Sequence, residues 1–121
     1  MATPQAKLFV SVEEYLRRER EALERHEYDN GRIHAMAGES PNHSRVCLSL
    51  AAIVGTQLRG KTCEGFSPNM KIGISAAGRF VYPDLSVVCE KALFHDAHQD
   101  VLTNPKVIFE VLSPSTEKYD R

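Results

Sequence analysis

A chain of 121 residues, 42% hydrophobic and 26% charged, has room for one packed core and hardly two, so a single domain over residues 1–121 is expected. Its 15 Lys+Arg against 16 Asp+Glu leave a formal net charge of -1, which excludes a global field drawing it to nucleic acid or an anionic membrane. No apolar stretch reaches the roughly 20 residues that span a bilayer. The three cysteines Cys47, Cys63 and Cys89 are widely spaced with no C-x-x-C pair, and no apolar signal core precedes them. They point to a cytoplasmic, reducing setting with free thiols.

In chain order, Ser11-Val12-Glu13-Glu14 fits a capping box with Val10 placed to staple onto Tyr15, so a helix is expected from Val12. Val12, Tyr15, Leu16 and Leu23 fall near one face of it, and the charges from Arg17 to Arg25 read as its solvated surface. Asn30-Gly31 joins two short runs and predicts a hairpin with a type I′ turn. Ser40-Pro41 reads as an N-cap followed by proline in the first turn. It opens a helix whose Val46, Leu50, Ile53, Val54 and Leu58 are expected to face inward, with Gly60 as the stop.

From Thr62 to Cys89 the pattern becomes strand-like. Met70, Ile72 and Ile74 alternate with Lys71, Gly73 and Ser75; a turn at Ala77-Gly78 then leads into a strand from Arg79 to Cys89, with antiparallel pairing expected. A polar stretch from Glu90 to Asn104 precedes a last strand over Lys106–Leu112. Ser113-Pro114-Ser115-Thr116-Glu117 has the composition of a loop entering a helix that is cut off at Arg121.

The most informative feature is a pair of acids in apolar runs, Asp84 within Phe80–Leu85 and Glu110 within Val107–Leu112. Desolvating an unpaired carboxylate costs several kcal/mol, so such an acid usually has a cation, a metal or a donor beside it. Adjacent strands would bring both carboxylates to one end of a sheet, where oxygen ligands suit Mg²⁺ or Mn²⁺ and a phosphate substrate. Pro83 cannot donate to a ladder and marks a bulge or edge that re-aims Asp84.

Tyr82-Pro83-Asp84-Leu85-Ser86-Val87-Val88, then Phe109-Glu110-Val111-Leu112-Ser113-Pro114-Ser115-Thr116 and Tyr119-Asp120-Arg121, resemble the Uma family of endonucleases, within the restriction-endonuclease-like PD-(D/E)xK superfamily. Upstream, Val12-Glu13-Glu14-Tyr15, Glu27-Tyr28, Asn30-Gly31, Met36-Ala37-Gly38, Ser40-Pro41 and His43-Ser44 follow in the family's order, so the resemblance covers nearly the whole chain. It implies an α/β (α+β) restriction-endonuclease-like core, a mixed β-sheet flanked by helices, without the family's C-terminal helical and strand part. It implies a metal site of Asp84, Glu110 and the Val111 backbone carbonyl, with Glu27 as an additional acid and His43 near the cleft, and products bearing 5′-phosphate and 3′-hydroxyl ends. The superfamily lysine two residues after Glu110 is here Leu112; the family's own lysine falls beyond Arg121, and Lys118 is the candidate substitute without matching its position.

The resulting expectation is a Mg²⁺- or Mn²⁺-dependent endonuclease of nucleic acid, DNA in the first place, with catalytic residues Asp84, Glu110, Glu27, His43 and Lys118. The alternative is a catalytically silent, truncated nuclease-fold module that binds nucleic acid or protein; a homo-oligomer whose second copy covers the sheet is the third. Plainer readings stand beside these: Glu110 as a paired structural acid, Glu27 as a hairpin surface residue, His43 as a helix-start residue bonded to backbone. His95 and His98 lack further ligands at zinc spacing, and Ser113 and Ser115 read as loop and cap residues.

Overall fold

Ser11 opens the first helix through its own side chain. In the computed structural model, which describes residues 9–74 and 78–112, its hydroxyl accepts the Glu14 N–H at 3.1 Å at the start of α1 (Val12–Glu21). The helix stops at Glu21, so Leu23, expected on its inner face, is instead fully exposed. β1 (His26–Asp29) and β2 (Arg32–Ala35) follow, then α2 (Pro41–Leu58) and β3 (Glu64–Phe66). β4 (Lys71–Ile74), β5 (Arg79–Val81), β6 (Leu85–Val88), β7 (Val101–Leu102) and β8 (Val107–Phe109) complete a mixed α+β architecture. Contacts cluster in two units, one of Met1–Met36 with Gly73–Val81, the other of Ala37–Ile72 with Tyr82–Arg121.

In the first unit the strand order is β2-β1-β5, with β4 next to β5. The hairpin is the expected one: Asn30 and Gly31 have φ of 49° and 96°, the pair of positive values a type I′ turn needs. Gly31 is also required sterically, because a Cβ there would run into the Phe9 ring. Three aromatic rings make the core. Tyr15 stacks on Tyr28 at 4.9 Å between centroids, and Phe80 meets them at 5.7 and 5.8 Å. Both buried tyrosine hydroxyls are satisfied, Tyr15 donating to the His26 carbonyl and Tyr28 to the Val10 carbonyl, each at 2.5 Å. Burial accordingly pushes the Tyr15 phenol far up from its ordinary range.

On the outer face of α1, Glu14 accepts from Arg17 at 2.7 Å and from Arg18 at 2.8 Å, and these bonds hold its carboxyl down at about 2. A carboxylate lowered in the folded state stabilises above its ordinary value of 4.5, and that contribution is lost as pH falls toward 2. Glu14→Gln should therefore lower thermal stability modestly at neutral pH, flatten the acid limb across that window and meet the wild type near pH 2. Melts followed by circular dichroism test it, and superimposable acid limbs would refute it.

In the second unit the Lys71–Ile72 half of β4 pairs in parallel with β7, and β3-β6-β8 form an antiparallel sheet. Two strand readings change here. The run from Arg79 to Cys89 is broken at Tyr82-Pro83-Asp84 into β5 and β6, as a residue without an N–H donor requires. β4 does not alternate either, because Lys71 is as buried as Ile72 and sits 5.7 Å over the Tyr82 ring. β7, inside the stretch expected to be a polar loop, is held by His95 N–H donating to the Val101 carbonyl and Thr103 N–H to Leu93, both at 2.9 Å.

α2 begins as expected, with the Ser40 hydroxyl accepting the His43 N–H at 3.1 Å and proline in the first turn; Gly60 adopts φ 72° just past its end. Its inward face is thinner than the pattern suggested. Leu50, Val54 and Leu58 are half-buried, whereas Val46 and Ile53 are exposed.

Cys63 and Cys89 form a disulfide, which corrects the expectation of three free thiols. The β3–β6 register pairs Glu64 with Val88, so the next pair outward is Cys63 opposite Cys89, a proximity their separation of 26 residues does not reveal. Cysteine usage thus no longer argues for a reducing compartment. Cys47 remains a free thiol.

Candidate active site

The β6–β8 ladder pairs Leu85 with Phe109, and its antiparallel register carried one step further sets Asp84 opposite Glu110. Both acids lie just outside the strands, Asp84 at the break after Pro83 and Glu110 one residue past β8. This placement corrects the picture of two buried acids: the Asp84 side chain is 16% exposed, while Glu110 is exposed. Asp84 Oδ2 accepts the Val111 N–H at 2.7 Å, tying the end of β8 to the start of β6.

His43, in the first turn of α2, joins this pair. Its Nε2 lies 3.4 Å from Asp84 Oδ2 and its Nδ1 3.0 Å from Glu39 Oε1, with the ring only 17% exposed. Burial alone would lower the imidazolium's pKa. The Glu39 hydrogen bond, the charges of Asp84 and Glu39 and the Val111 backbone carbonyl outweigh it, so His43 is raised above the ordinary imidazole value. One helical turn on, Cys47 Sγ is 3.6 Å from His43 Nδ1. Burial first, then the negative charges of Asp84, Glu39 and Glu110, push its thiol up to about 11. Three carboxylates thus bear on this one thiol, a local grouping the whole-chain charge conceals.

Of the residues singled out in the sequence, Asp84, Glu110, Val111 and His43 all belong to the second unit and meet around one strand end. Glu27 belongs to the first unit, on β1 directly opposite His34. Lys118 lies outside the described residues. Glu39 and Cys47 were missed: the spacing of four puts His43 and Cys47 on one face of α2, but Glu39 lies before the Ser40 cap and is brought to them by the chain's entry into the helix. His98 is exposed, its Nδ1 3.2 Å from Asp96 Oδ1, in keeping with the polar-loop reading.

The donors offered by Asp84, Glu110 and the Val111 carbonyl are all oxygen, the set a hard cation such as Mg²⁺ or Mn²⁺ takes. Among the described residues, no helix is long and apolar enough to cross a membrane.

The family model of Uma2, described as "Putative restriction endonuclease", matches residues 12–121. This chain belongs to the Uma2 family. It is 40% and 35% identical, over 112 residues each, to two uncharacterized proteins of Synechocystis sp., matching 93% of this chain in both cases. The chain spans 58% and 63% of those relatives' lengths. A crystal structure titled as a putative nuclease belonging to DUF820, from Anabaena variabilis, matches with a TM-score of 0.71 at 17% identity, over 92% of this chain and 63% of that one. The likeness shows a shared nuclease fold, and the restriction-endonuclease-like architecture of the Uma2 family is the one observed.

Proposed function

We propose that this Uma2-family chain carries the catalytic core of a Mg²⁺- or Mn²⁺-dependent endonuclease that hydrolyses phosphodiester bonds of nucleic acid, DNA in the first place. The observation that supports it most is the ladder register that sets Asp84 opposite Glu110, with Val111 tied to Asp84 at 2.7 Å. Asp84, Glu110 and the Val111 carbonyl would hold the cation. Such an ion, when bound, polarises the phosphate and lowers the pKa of a water. The rest falls to the chain's own groups. Asp84 is oriented through the Val111 N–H; His43, raised toward its protonated form, offers a donor to a phosphate oxygen from beside Asp84. By family resemblance Glu27 is the additional acid, and Lys118 is the candidate for the water-orienting role that Leu112 cannot fill.

Nicking of supercoiled plasmid and cutting of a single-stranded oligonucleotide, with Mg²⁺ or Mn²⁺ and again with chelator, test this reading. Metal-dependent cutting that Glu110→Ala abolishes, along with Mg²⁺ or Mn²⁺ binding at the strand end and with the fold intact, is expected. Unchanged metal affinity in that variant would remove Glu110 from the site. Metal bound without any cutting would favour the silent binding module, a reading that Leu112 in the superfamily lysine's position supports.

A further inference from the structure

Glu39, His43 and Cys47 bring an oxygen, a nitrogen and a sulfur donor within 4.8 Å of one another on one side of α2. We propose that these three residues form a site for a borderline-soft divalent transition metal, Zn²⁺ in the first place, separate from the all-oxygen donor set of Asp84, Glu110 and Val111. The donor chemistry decides the metal class: thiolate and imidazole select zinc-like ions over Mg²⁺, which takes oxygen.

The distances fit that class. With tetrahedral bonds of about 2.1 Å to nitrogen and oxygen and about 2.3 Å to sulfur, donor atoms stand about 3.6 Å apart for an N–S pair and about 3.4 Å for an N–O pair. Cys47 Sγ is 3.6 Å from His43 Nδ1 and 3.8 Å from Nε2, so a turn of its side chain is needed to bring it from over the ring to the Nδ1 lone pair, while Glu39 Oε1, at hydrogen-bond length of 3.0 Å, needs only to open slightly. Glu39 is exposed and can make that adjustment; His43 and Cys47 are half-buried one turn apart on the helix.

A further observation bears on it. With Nδ1 turned to Glu39, the other ring nitrogen faces Asp84 Oδ2 at 3.4 Å, the carboxylate–histidine arrangement that orients imidazole ligands and raises their basicity. Three protein donors leave a fourth position for water. Binding displaces the thiol proton to solvent, so no oxidant or other reactant is needed.

Co²⁺ reports such a site directly through its thiolate charge-transfer band. The full chain is titrated with Co²⁺ anaerobically and without reductant, so that Cys63 and Cys89 stay paired. One equivalent should produce the band in the wild type and in Glu110→Ala. Cys47→Ser should lose it, and Glu39→Gln, a change at an exposed residue that leaves the fold alone, should weaken cobalt binding about tenfold or more. A missing band in the wild type, a band that survives Cys47→Ser, or unchanged affinity in Glu39→Gln would each overturn the proposal. The band in Glu110→Ala separates this inference from the nuclease reading, because that variant is the one expected to lose Mg²⁺-dependent cutting.

Discussion

Asp84→Asn is expected to abolish Mn²⁺ binding at the strand end and to lower metal-dependent cleavage by a hundredfold or more, while the protein stays folded. The carboxylate does three things at once. It offers the hard-cation ligand, accepts the Val111 N–H at 2.7 Å, and faces His43 Nε2 at 3.4 Å. Asparagine keeps an acceptor for Val111 and removes the charge, so it isolates the metal role. Losing a metal's stabilisation of the developing phosphorane charge costs several kcal/mol, and each ~1.4 kcal/mol is a factor of ten in rate. Asp84→Ala should lose the same activity and, in addition, about 1.5–3 kcal/mol of stability for the charged hydrogen bond; relief of repulsion from Glu39 and Glu110 offsets part of that. Calorimetric titration with Mn²⁺, read beside initial nicking rates, checks both. Wild-type Mn²⁺ affinity in Asp84→Asn would sink the metal assignment.

Phe80→Ala should be the most destabilising of the single changes considered, by about 3–5 kcal/mol, because it empties the space between two other rings. Phe80 is buried against Tyr15 and Tyr28 at 5.7 and 5.8 Å. Both tyrosines are also anchored through their hydroxyls, so they cannot slide in to fill the gap. Domains of this size are commonly stable by only about 5–15 kcal/mol, so about a fifth or more of the total is at stake. The urea midpoint should fall by about 1–3 M on the usual slope. Leu23→Ala makes the contrast, since that side chain is fully exposed and its loss should shift stability by no more than about 0.5 kcal/mol. Equal midpoints for the two variants would mean that the three rings do not form the core.

Several elements could be read without coordinates because their causes are local. Ser11 and Ser40 cap helices through side-chain oxygens three residues from the N–H they accept, and Asn30-Gly31 supplies two positive φ values. Pro83 was legible as a break for the same reason, since it lacks a donor whatever surrounds it. Leu23 and Val46 show the limit of such reading. Periodicity says which residues share a face but not where the helix ends or whether anything packs on that face.

The sequence by itself determined the caps, the turn, the strand-breaking proline and the family to which the chain belongs, because each rests on residues close together or on a pattern of types in order. It also marked Asp84 and Glu110 as the acids to explain. Only the tertiary structure decided the pairings. The ladder register put Asp84 opposite Glu110, linked Cys63 to Cys89, and buried Lys71 over Tyr82. It likewise brought His43, with Glu39 and Cys47, to the same strand end. The pairings of Asp84 with Glu110, Cys63 with Cys89 and His43 with Asp84 join residues far apart in the chain, and a one-residue slip in a ladder would have undone any of the strand pairings.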